Sequence, residues 1–529
     1  MISAFHHQPD RGALRTQKAW IPLSENQLAA GRCQDIAWEL AGTTRGLDLS
    51  ITAEETPLKE WVLRWDLEFP LNCRFLGGAW ERGYGDMEWR GFVPERVMPW
   101  YFLADNGQEV LCFGVKVQPH ALCYWTVDPH GFSLHLDLRC GGEGVRLQGR
   151  KLPAASVVFH RCGLAAFPAL QRFLKVLSPQ PLLPSQPVYG SNNWYYAYGN
   201  SSQEEILQDT DYLLSLTQGL ENPPTMVIDD GWQVFHNQEP GYNGGPWRQG
   251  NEKFPDMAGL ARQISTRGAR PGIWVRLLWN RDPQIPSSWR SRRDPEYLDP
   301  TVPEVLRYVQ EDIRTLRAWG YTLIKHDFST FDLLGRWGFQ MGSQITDGGW
   351  RFADETVTTA EAILHLYQAI YQASQGALIL GCNCMGHLGA GWMHLNRTGD
   401  DTSGRLWERT RKMGVNTLAF TLPMHGSFFA IDADCVGVTG EIPWELNRQW
   451  LWLLAESGTP LFTSIRPGVL TPDQEEEVRQ AFALASRHTC AEALPLDWQN
   501  NTCPESWLLS HQKRSFSWFP AQGALDLTT

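Results

Sequence analysis

Two short acidic segments hold the residues of this chain that are best suited to chemistry. Residues 324–327 read Ile-Lys-His-Asp and residues 397–401 read Arg-Thr-Gly-Asp-Asp, and each follows or ends a short apolar run. Retaining cleavage of a glycosidic bond needs an ionised carboxylate that attacks the anomeric carbon and a protonated carboxyl that delivers a proton to the departing oxygen. The reaction requires at least two such carboxyl groups on separate strand ends, so the two segments predict a glycosidase.

Length and charge limit the classes of protein to which the chain can belong. It has 529 residues, too many for one ordinary hydrophobic core, which predicts two or three domains. Lys and Arg total 46 against 58 Asp and Glu, so a nucleic-acid partner is not expected. The first residues lack a basic stretch followed by an apolar one, and no long apolar run occurs elsewhere. These features predict a soluble, cytoplasmic protein without a membrane partner.

Eleven cysteines are scattered along the chain without a repeated spacing. Their odd number fits reduced thiols better than a disulfide framework. Cys382 and Cys384 form the only close pair, and His387 alone does not complete a set of zinc ligands. We therefore expect no metal site.

Shifts in composition divide the chain into four parts. Residues 1–176 contain short stretches of alternating apolar and polar residues separated by turn residues, which predicts a β-sandwich. Residues 177–187 are rich in proline and predict a linker. Between residues 188 and 470, short apolar runs alternate with helical periods, which favours β-α units around a parallel sheet. Residues 471–529 predict a helix followed by a short β region.

Eight candidate strands in the third part predict a (β/α)₈ TIM barrel. An open doubly wound sheet is the alternative, but no Gly-x-Gly-x-x-Gly or Walker-type loop follows the first strand. Strands are predicted near 188–193, 224–230, 271–278, 321–328, 377–383, 393–398, 416–421 and 459–464. Helices are predicted near 202–217, 256–268, 302–318, 359–375, 403–413 and 444–456.

Nearly every chemically capable residue of this region closes a predicted strand. In a barrel of this type, the active site lies at the carboxyl ends of the strands, so we expect these side chains to share one pocket. The clusters in strand order are Asn193 to Tyr195, Asp229 to Trp232, Trp274 with Arg276, Lys325 to Asp327, Gly381 with Cys382, and Arg397 to Asp401.

The alternation of side chains along a strand separates the residues of the fourth cluster. Lys325 and Asp327 point to the same face, whereas His326 points towards the surrounding helices. A nearby ammonium group lowers the pKa of a carboxyl, as a nucleophile needs, so we expect Lys325 to hold Asp327 ionised. A structural ion pair is the alternative for these two residues. His326 is expected to be a packed or hydrogen-bonded histidine.

Asp229 and Asp230 are expected to bind hydroxyl groups at a strand end. An ionised carboxylate accepts hydrogen bonds from two sugar hydroxyls, which gives stereochemical discrimination. Asp-Asp-Gly is equally an ordinary turn sequence, so a turn is the alternative interpretation.

Tryptophan is the other compositional signal, with 25 copies. Aromatic rings pack against the C–H faces of sugars, so the pocket is expected to contain Trp194, Trp232, Trp274 and Trp80. Trp80 would have to reach the barrel from the sandwich, in the Gly-rich segment 77–85. Most of the other tryptophans are expected to be core residues.

Taken together, these motifs resemble the α-galactosidases of glycoside hydrolase family 36. The shared pattern spans residues 188 to about 465, and the order and spacing of the motifs agree along it. A β-sandwich before the barrel is also similar to that family, whose relatives include the plant raffinose synthases. The motifs are Gly190-x-x-x-Trp194-Tyr195, Ile228 to Gln233, Gly272 to Trp274, Ile324 to Phe328, Gly381-Cys382 and Arg397 to Asp401.

The resemblance implies a role for each matching residue. Asp327 matches the nucleophile and Asp401 the general acid/base, with Asp400 as the competing assignment for the latter. Asp229 and Asp230 match the pair that holds O4 and O6 of galactose. The family uses no metal or organic cofactor, acts on small α-galactosides of the melibiose or raffinose type, and often forms homo-oligomers. The remaining matches are two cations around O2, O3 and the nucleophile, Lys325 and Arg397, and four pocket-wall residues, Trp274, Trp194, Tyr195 and Cys382.

The chain departs from the family pattern in two places. After the helix predicted at 471–486, the remaining β region is shorter than in the family and is expected to be short or truncated. The segment 342–351 is an unusual Gly-rich insertion, which is expected to be a lid or acceptor-site loop, or else a surface loop.

The leading expectation is an exo-acting, retaining α-galactosidase. The alternatives are the same mechanism on N-acetylgalactosamine or β-L-arabinopyranose, galactosyl transfer of the raffinose-synthase type, and sugar binding without catalysis. A binding protein has no use for two carboxylates that flank the glycosidic bond, which favours an enzyme.

Overall fold

The computed structural model of the chain describes residues 7–238, 241–487 and 492–520. In this part of the chain, two large antiparallel sheets come first, a parallel sheet of nine strands follows, and a three-stranded antiparallel sheet comes last. A small hairpin of Arg139–Cys140 and Glu143–Gly144 lies within the sandwich part of the sequence, before its last strand, Leu152–Cys162. The predicted architecture of an N-terminal sandwich and a barrel is confirmed.

Alternating sequence patterns build the two sheets of the sandwich. In the strand Leu58–Asp66, Trp61, Leu63 and Trp65 are buried because alternate side chains share one face. One sheet has six strands in the order Trp20–Leu23, Arg11–Thr16, Leu58–Asp66, Gly131–Asp137, Leu122–Asp128 and Met98–Pro99. The other has seven in the order Arg32–Cys33, Ile36–Gly42, Gly46–Ala53, Leu152–Cys162, Val110–Val115, Tyr101–Asp105 and Arg74–Gly77.

Aromatic side chains join the two sheets. Phe102 stacks on Phe113 within the seven-stranded sheet, with 4.5 Å between ring centroids. Phe113 also lies 4.5 Å from Phe132, which belongs to the six-stranded sheet. Each buried aromatic ring removes a large apolar area from water, so these contacts are the centre of the sandwich core.

An unpredicted helix, Ala166–Leu177, follows the last strand of the sandwich. Phe167, Leu170 and Leu174 are buried on one face of it, at the spacing that helical periodicity requires. Residues 178–188 then contain neither helix nor strand, at the position of the proline-rich segment.

Nine short parallel strands form the barrel sheet. Their bounds are Tyr189–Asn192 for β1, Thr225–Ile228 for β2, Arg270–Val275 for β3, Leu323–His326 for β4, Leu378–Gly381 for β5, Leu395–Arg397 for β6, Ala430–Asp432 for β7, Cys435–Val438 for β8 and Leu461–Ile465 for β9. In the sheet they lie in the order β7-β6-β5-β4-β3-β2-β1-β9-β8.

The barrel closes through a broken strand. β7 and β8 stand at opposite ends of the sheet order, yet only Ala433 and Asp434 separate them in the chain. They are therefore two halves of one strand position, and the ring has the eight positions that the sequence predicts. Asp434 has φ 73°, the left-handed backbone conformation, at the break between the halves.

The seventh strand was predicted at the wrong place. Residues 416–421 lie in a continuous helical region that starts at Trp407, contains a π-helical turn at Thr410–Asn416 and ends at Met424. All the residues of Thr417–Thr421 are buried. A short apolar run that is buried on every side shows neither the period of a strand nor that of a helix, so periodicity cannot distinguish the two. The true strand position comes later, in β7 and β8.

The other predicted helices form close to their expected positions, and their first turns explain why. Thr358 and Glu361 form a capping box, and Ser202 accepts a hydrogen bond from the backbone of Glu205. The long helices are Gln203–Leu216, Met257–Arg267, Pro303–Trp319, Thr359–Ala373 and Trp444–Ser457. Short helical turns occupy Glu25–Ala30, Trp194–Ala197, Ser287–Trp289, Ser329–Leu334, Gly338–Gln340 and Gly386–Gly389.

The C-terminal part begins with the predicted helix, Pro472–Ala485. The three-stranded sheet then consists of Ala493–Pro495, Ser506–Leu509 and Gln512–Ser515. Across the described ranges, no helix combines the length and the apolar character needed to cross a membrane. Ten cysteines of the same ranges are free thiols.

The break between β7 and β8 gives a stability prediction. Asp434 forms a buried ion pair with Arg397 at 2.5 Å, so Asp434→Asn leaves the guanidinium with less compensation. We expect a loss of about 3 kcal/mol in the free energy of unfolding, measured by urea denaturation. The control is Asp347→Asn, because Asp347 is 78% exposed beside Arg336 and such a pair contributes at most about 1 kcal/mol. Equal losses in the two variants would contradict a structural role for the buried pair.

Candidate active site

A cavity of about 490 Å³, including its mouth, opens at the carboxyl ends of the barrel strands. This volume lies within the range of roughly 300–1,000 Å³ that is typical of small-molecule sites. Five of its lining residues are aspartates, and its two cations are an arginine and a lysine. The lining consists of Arg82, Trp194, Asp229, Asp230, Asn243, Trp274, Lys325, Asp327, Phe328, Trp337, Asp400 and Asp401.

Asp327 lies directly after β4, and three groups donate hydrogen bonds to its carboxylate. Trp274 Nε1 donates to Oδ2 at 3.1 Å. The backbone N–H groups of Phe328 and Asn383 donate to Oδ1 at 2.7 and 3.0 Å. These bonds fix the orientation of the carboxylate and favour its ionised form.

Electrostatics keep Asp327 ionised. Burial raises the pKa of this carboxyl, but the nearby cations of Lys325 and Arg82, together with the hydrogen bonds, outweigh burial, and the net pKa lies below the ordinary value. Asp327 therefore carries a negative charge at neutral pH. The predicted effect of Lys325 on Asp327 acts through space and not through a direct ion pair.

The direct partner of Lys325 is Asp229, whose Oδ2 lies 2.8 Å from Nζ. Burial lowers the pKa of Lys325, but the charge of Asp229 outweighs it, so the pKa stays well above the ordinary value. Lys325 is thus a permanent cation of the cavity. Lys325 therefore forms an ion pair with Asp229 after β2 and also lowers the pKa of Asp327.

Asp229 and Asp230 are held rigidly at the carboxyl end of β2. Asn192 donates a hydrogen bond to Asp229 Oδ2, and the backbone N–H of Asp230 donates to Asp229 Oδ1 at 2.9 Å. Gln233 Nε2 donates to Asp230 Oδ1 at 2.7 Å. The chain turns at this strand end, so both carboxylates reach the cavity although they are adjacent in sequence. Two fixed acceptor groups side by side suit a ligand with neighbouring hydroxyls.

Asp401 is the carboxyl of the cavity with a raised pKa. Arg397 Nη2 donates to Oδ1 at 2.9 Å, and Trp194 Nε1 donates to Oδ2 at 3.3 Å. The side chain is 40% exposed to the open cavity, but it is recessed between the walls. Burial raises its pKa, Arg397 lowers it, and the nearby charges of Asp434 and Asp400 raise it, so the net pKa lies above the ordinary value.

Asp400 has different partners from its neighbour Asp401. Arg82 Nη2 lies 2.8 Å from Oδ1, and Arg409 Nη2 lies 3.0 Å from Oδ2. Both carboxylate oxygens are therefore bound to guanidinium groups in charge-assisted hydrogen bonds. Asp400 thus has two guanidinium partners, whereas Asp401 has one guanidinium partner and a raised pKa.

Three predicted pocket residues lie just behind the lining. Arg397 bonds Asp401 on one side and Asp434 on the other, and Tyr195 donates its hydroxyl hydrogen to Asp434. Cys382 Sγ lies 3.5 Å from Arg397 Nη1. These buried groups lie behind the cavity surface, where Arg397 holds Asp401 and is itself held by Asp434.

Trp194 and Trp274 line the cavity as predicted, and each indole N–H is committed to a carboxylate. Trp194 binds Asp401, and Trp274 binds Asp327. The two rings therefore provide apolar walls and also hold the two carboxylates in place.

Trp232 and Trp80 are not brought to the cavity, contrary to prediction. Trp232 is fully buried, donates Nε1 to the carbonyl of Trp274 at 2.9 Å, and packs against Trp247. Trp80 packs against Trp100 at 5.3 Å and donates Nε1 to the carbonyl of Gly342 at 3.1 Å. Sequence alone does not distinguish a core tryptophan from a pocket tryptophan, because tryptophan is highly buried in both settings.

Four lining residues were not predicted from the sequence: Arg82, Asn243, Phe328 and Trp337. Arg82 had a signal, since it lies two residues after Trp80 in the Gly-rich segment that the sequence singles out. Phe328 directly follows Asp327 and has φ 60°. Asn243 and Trp337 lie in long connections after strands, where spacing carries no information about which side chains face inwards.

The Gly-rich segment 342–351 does not line the cavity. Gly349 N–H donates to Glu143 at 2.7 Å, and the carbonyl of Trp350 accepts from the backbone of Gly142 at 3.1 Å. Trp350 itself is buried. These bonds tie the segment to the sandwich, so the structure does not place it as a lid over the cavity.

His326 faces away from the cavity, as predicted. Its ring packs 5.7 Å from that of Tyr367 on a surrounding helix, and Cys384 Sγ lies 3.6 Å from its Nδ1. Burial lowers the pKa of His326 to about 4, so the ring is neutral. In the described ranges, no group of three His, Cys, Asp or Glu side chains is placed to hold a metal ion.

Neither a protein-family model nor a curated protein sequence matches this chain. Solved structures do match its fold. The α-galactosidase TtGalA from Thermus thermophilus, in complex with p-nitrophenyl α-D-galactopyranoside, is similar over 97% of this chain and 99% of that chain, with a TM-score of 0.60 and 16% identity.

Two further α-galactosidases match in the same way. The enzyme from Lactobacillus brevis has a TM-score of 0.59 and 14% identity, over 95% of this chain and 77% of its own. The family 36 enzyme AgaA from Geobacillus stearothermophilus has a TM-score of 0.56 and 15% identity, over 90% of this chain and 75% of its own. At these identities the comparison shows the fold, and this chain shares the sandwich-and-barrel fold of these α-galactosidases.

Proposed function

We propose that this protein is a retaining exo-α-galactosidase that hydrolyses terminal α-D-galactosyl residues of small soluble galactosides. One observation carries the proposal: a single cavity holds an ionised carboxylate with a lowered pKa, Asp327, and a carboxyl with a raised pKa, Asp401. Two carboxyl groups with separated pKa values are what acid-assisted displacement at an anomeric carbon needs.

In the first step, Asp327 attacks the anomeric carbon and a glycosyl ester forms as the glycosidic C–O bond breaks. Asp401 gives its proton to the departing oxygen, so the aglycone leaves as a neutral alcohol. In the second step, Asp401 takes a proton from water, and the water oxygen displaces Asp327 from the anomeric carbon. Two inversions give net retention, so galactose leaves as the α anomer.

The remaining lining residues give the cavity its fit to a sugar. Asp229 and Asp230 accept hydrogen bonds from neighbouring hydroxyls, O4 and O6 in the proposed substrate, and Lys325 donates to a further hydroxyl. Trp194 and Trp274 supply apolar walls for the C–H faces of the ring. Fixed acceptors discriminate between epimers, because an epimer places its hydroxyl where it cannot donate to these carboxylates.

The fold comparison supports the choice of sugar. TtGalA was solved with p-nitrophenyl α-D-galactopyranoside and also with stachyose, and both molecules are galactosides. The matching motifs of this chain stand at the carboxyl ends of its strands, where that fold presents an active site.

The nucleophile is tested with Asp327→Ala. We expect hydrolysis of p-nitrophenyl α-D-galactopyranoside to fall by roughly 10⁴-fold or more, because no covalent intermediate can form. The matching α-glucoside and α-N-acetylgalactosaminide are assayed beside it, and Asp347→Asn serves as the surface control. Added azide should yield β-galactosyl azide through one inversion, detected by NMR. A folded wild type that turns over none of the three glycosides would reject the proposed function.

The general acid is tested by comparing Asp401→Ala with Asp400→Ala. We expect Asp401→Ala to slow melibiose hydrolysis far more than aryl galactoside hydrolysis, since a good leaving group scarcely needs the proton. Azide should restore turnover of the aryl substrate by attacking the glycosyl-enzyme, which gives α-galactosyl azide. Asp400→Ala should not show this selectivity between leaving groups. Selectivity in the Asp400 variant alone would exchange the two assignments.

The pKa shifts predict a bell-shaped dependence of kcat/KM on pH. Turnover requires Asp327 to be ionised and Asp401 to be protonated, and the pKa of an ordinary Asp is about 3.9. The acidic limb is expected below that value, because the pKa of Asp327 is lowered, and the basic limb above it, because the pKa of Asp401 is raised. In Asp401→Ala the basic limb should disappear. A wild-type profile without a basic limb for melibiose would contradict acid catalysis by Asp401.

A further inference from the structure

Arg82 is a cavity residue that the barrel does not supply. It follows the sandwich strand Arg74–Gly77, in the Gly-rich segment 77–85. The backbone N–H of Gly83 donates to the carbonyl of Thr398 at 2.8 Å, and the N–H of Asp400 donates to the carbonyl of Gly83 at 3.2 Å. The segment thus pairs like a short strand with the loop after β6 and delivers its arginine to a fixed place.

A glycine at position 83 makes this approach possible. A Cβ built on Gly83 would lie 2.8 Å from Thr417 Cγ2, and one built on Gly399 would lie 2.0 Å from the carbonyl oxygen of Met413. Both backbone segments are therefore pressed against the helical region after β6. Their close contact fixes Arg82 relative to Asp400 and Asp401.

The guanidinium of Arg82 is buried at the cavity beside Asp400, the neighbour of Asp401. Its side chain is 4% exposed. Nη2 donates to Asp400 Oδ1 at 2.8 Å, Nη1 lies 3.9 Å from Cys382 Sγ, and the guanidinium carbon lies 5.6 Å from the centre of the Trp337 ring. The charge lies close enough to affect both Asp327 and Asp401.

We propose that Arg82 is a positioning residue of the reaction, through which the sandwich places one cation beside both reacting carboxylates and binds Asp400 so that Asp401 alone serves as the acid. This inference rests on the proposed function. It explains how two adjacent aspartates in one cavity take different roles. Arg409 binds the other oxygen of Asp400, so removal of Arg82 leaves Asp400 with one guanidinium partner in place of two.

Other charged and titratable groups also lie near the carboxyls of Asp327 and Asp401. The groups that face Asp401 are Arg397, Asp434, Asp400 and Arg82, with Arg409 donating to its backbone carbonyl and Tyr195 and Tyr198 nearby. The groups that face Asp327 are Lys325, Arg82, Arg276, Asp332, Cys382, Cys384 and His326. Arg82 itself also faces Glu81, whose Oε1 lies 3.8 Å from its Nε, and Tyr84, whose hydroxyl oxygen lies 3.4 Å from the same atom. Of all these groups, only Arg82 and Asp400 are altered in the variants below.

The sign of the expected shift follows from the charges. A cation near a carboxyl lowers its pKa, so Arg82→Met raises the pKa values of both Asp327 and Asp401. Both limbs of the profile of kcat/KM against pH then move to higher pH. An anion near a carboxyl raises its pKa, so Asp400→Asn lowers the pKa of Asp401 and moves the basic limb to lower pH.

The experiment compares pH profiles of kcat/KM for melibiose in wild type, Arg82→Met, Asp400→Asn and the double variant. We expect the basic limb to move up by about one pH unit in Arg82→Met, down by about one unit in Asp400→Asn, and little in the double variant. A purely structural arginine would lower kcat without opposite shifts. Arg82→Lys keeps the charge, so its limbs should stay near those of wild type even when kcat falls.

Arg96→Met is the matched control. Arg96 is also a partly buried arginine of the sandwich, but its guanidinium donates to the carbonyls of Phe75 and Glu88 and does not line the cavity. Its removal should leave both limbs in place. The inference is overturned if the wild type turns over galactosides but the basic limb moves in the same direction in Arg82→Met and Asp400→Asn, or does not move in either. The proposed function would then stay intact. A wild type without turnover overturns both.

Discussion

Five aspartates share one small cavity at the end of this barrel, and the repulsion between them is the constraint on which the site depends. Carboxylates so close together cannot all be ionised unless cations are buried with them. The chain meets this constraint by giving each carboxylate different partners. Lys325 binds Asp229, two guanidinium groups bind Asp400, and Arg397 lies between Asp401 and the buried Asp434. The unequal distribution of cations separates the pKa values of Asp327 and Asp401, and that separation is what the proposed chemistry uses.

The cavity is completed by the sandwich as well as by the barrel. Arg82 comes from the sandwich, and the neighbouring Glu81 is fully buried against barrel groups, with Asn383 and the backbone N–H of Gly338 donating to it. Burying a carboxylate and a guanidinium at a junction is costly unless both are fully paired, so the sandwich has to be held in one place relative to the barrel. The sandwich is therefore part of the site and not only an appended module. A barrel without it would lose the cation Arg82 from the cavity and, with it, one of the two guanidinium partners of Asp400.

The broken strand between β7 and β8 connects the fold to the same charges. A regular strand would point its residues alternately into and out of the barrel, whereas the left-handed residue Asp434 interrupts that alternation and directs a carboxylate under Arg397. Thr402 donates both its backbone N–H and its hydroxyl hydrogen to the same carboxylate, at 2.8 and 2.9 Å. The irregularity that closes the ring thus also supports the loop that carries Asp400 and Asp401. Backbone irregularities commonly occur beside functional sites, where they redirect a side chain.

The sequence alone determined the sandwich, the barrel, and the cluster of polar residues at strand ends, because period-two alternation, helix caps and the end of each apolar run are local signals. Asp229, Asp230, Lys325, Asp327 and Asp401 could be placed in one pocket for that reason. Tertiary structure alone decided which of two adjacent aspartates is bound by two arginines, which tryptophans face the cavity, and where the seventh strand lies. Those outcomes depend on contacts between segments far apart in the chain, such as Arg82 with Asp400, and on burial from every side at 417–421. The local sequence pattern contains no information about such contacts or such burial. The spacing of residues determines the face of a helix or strand on which a side chain lies, but not what packs against that face.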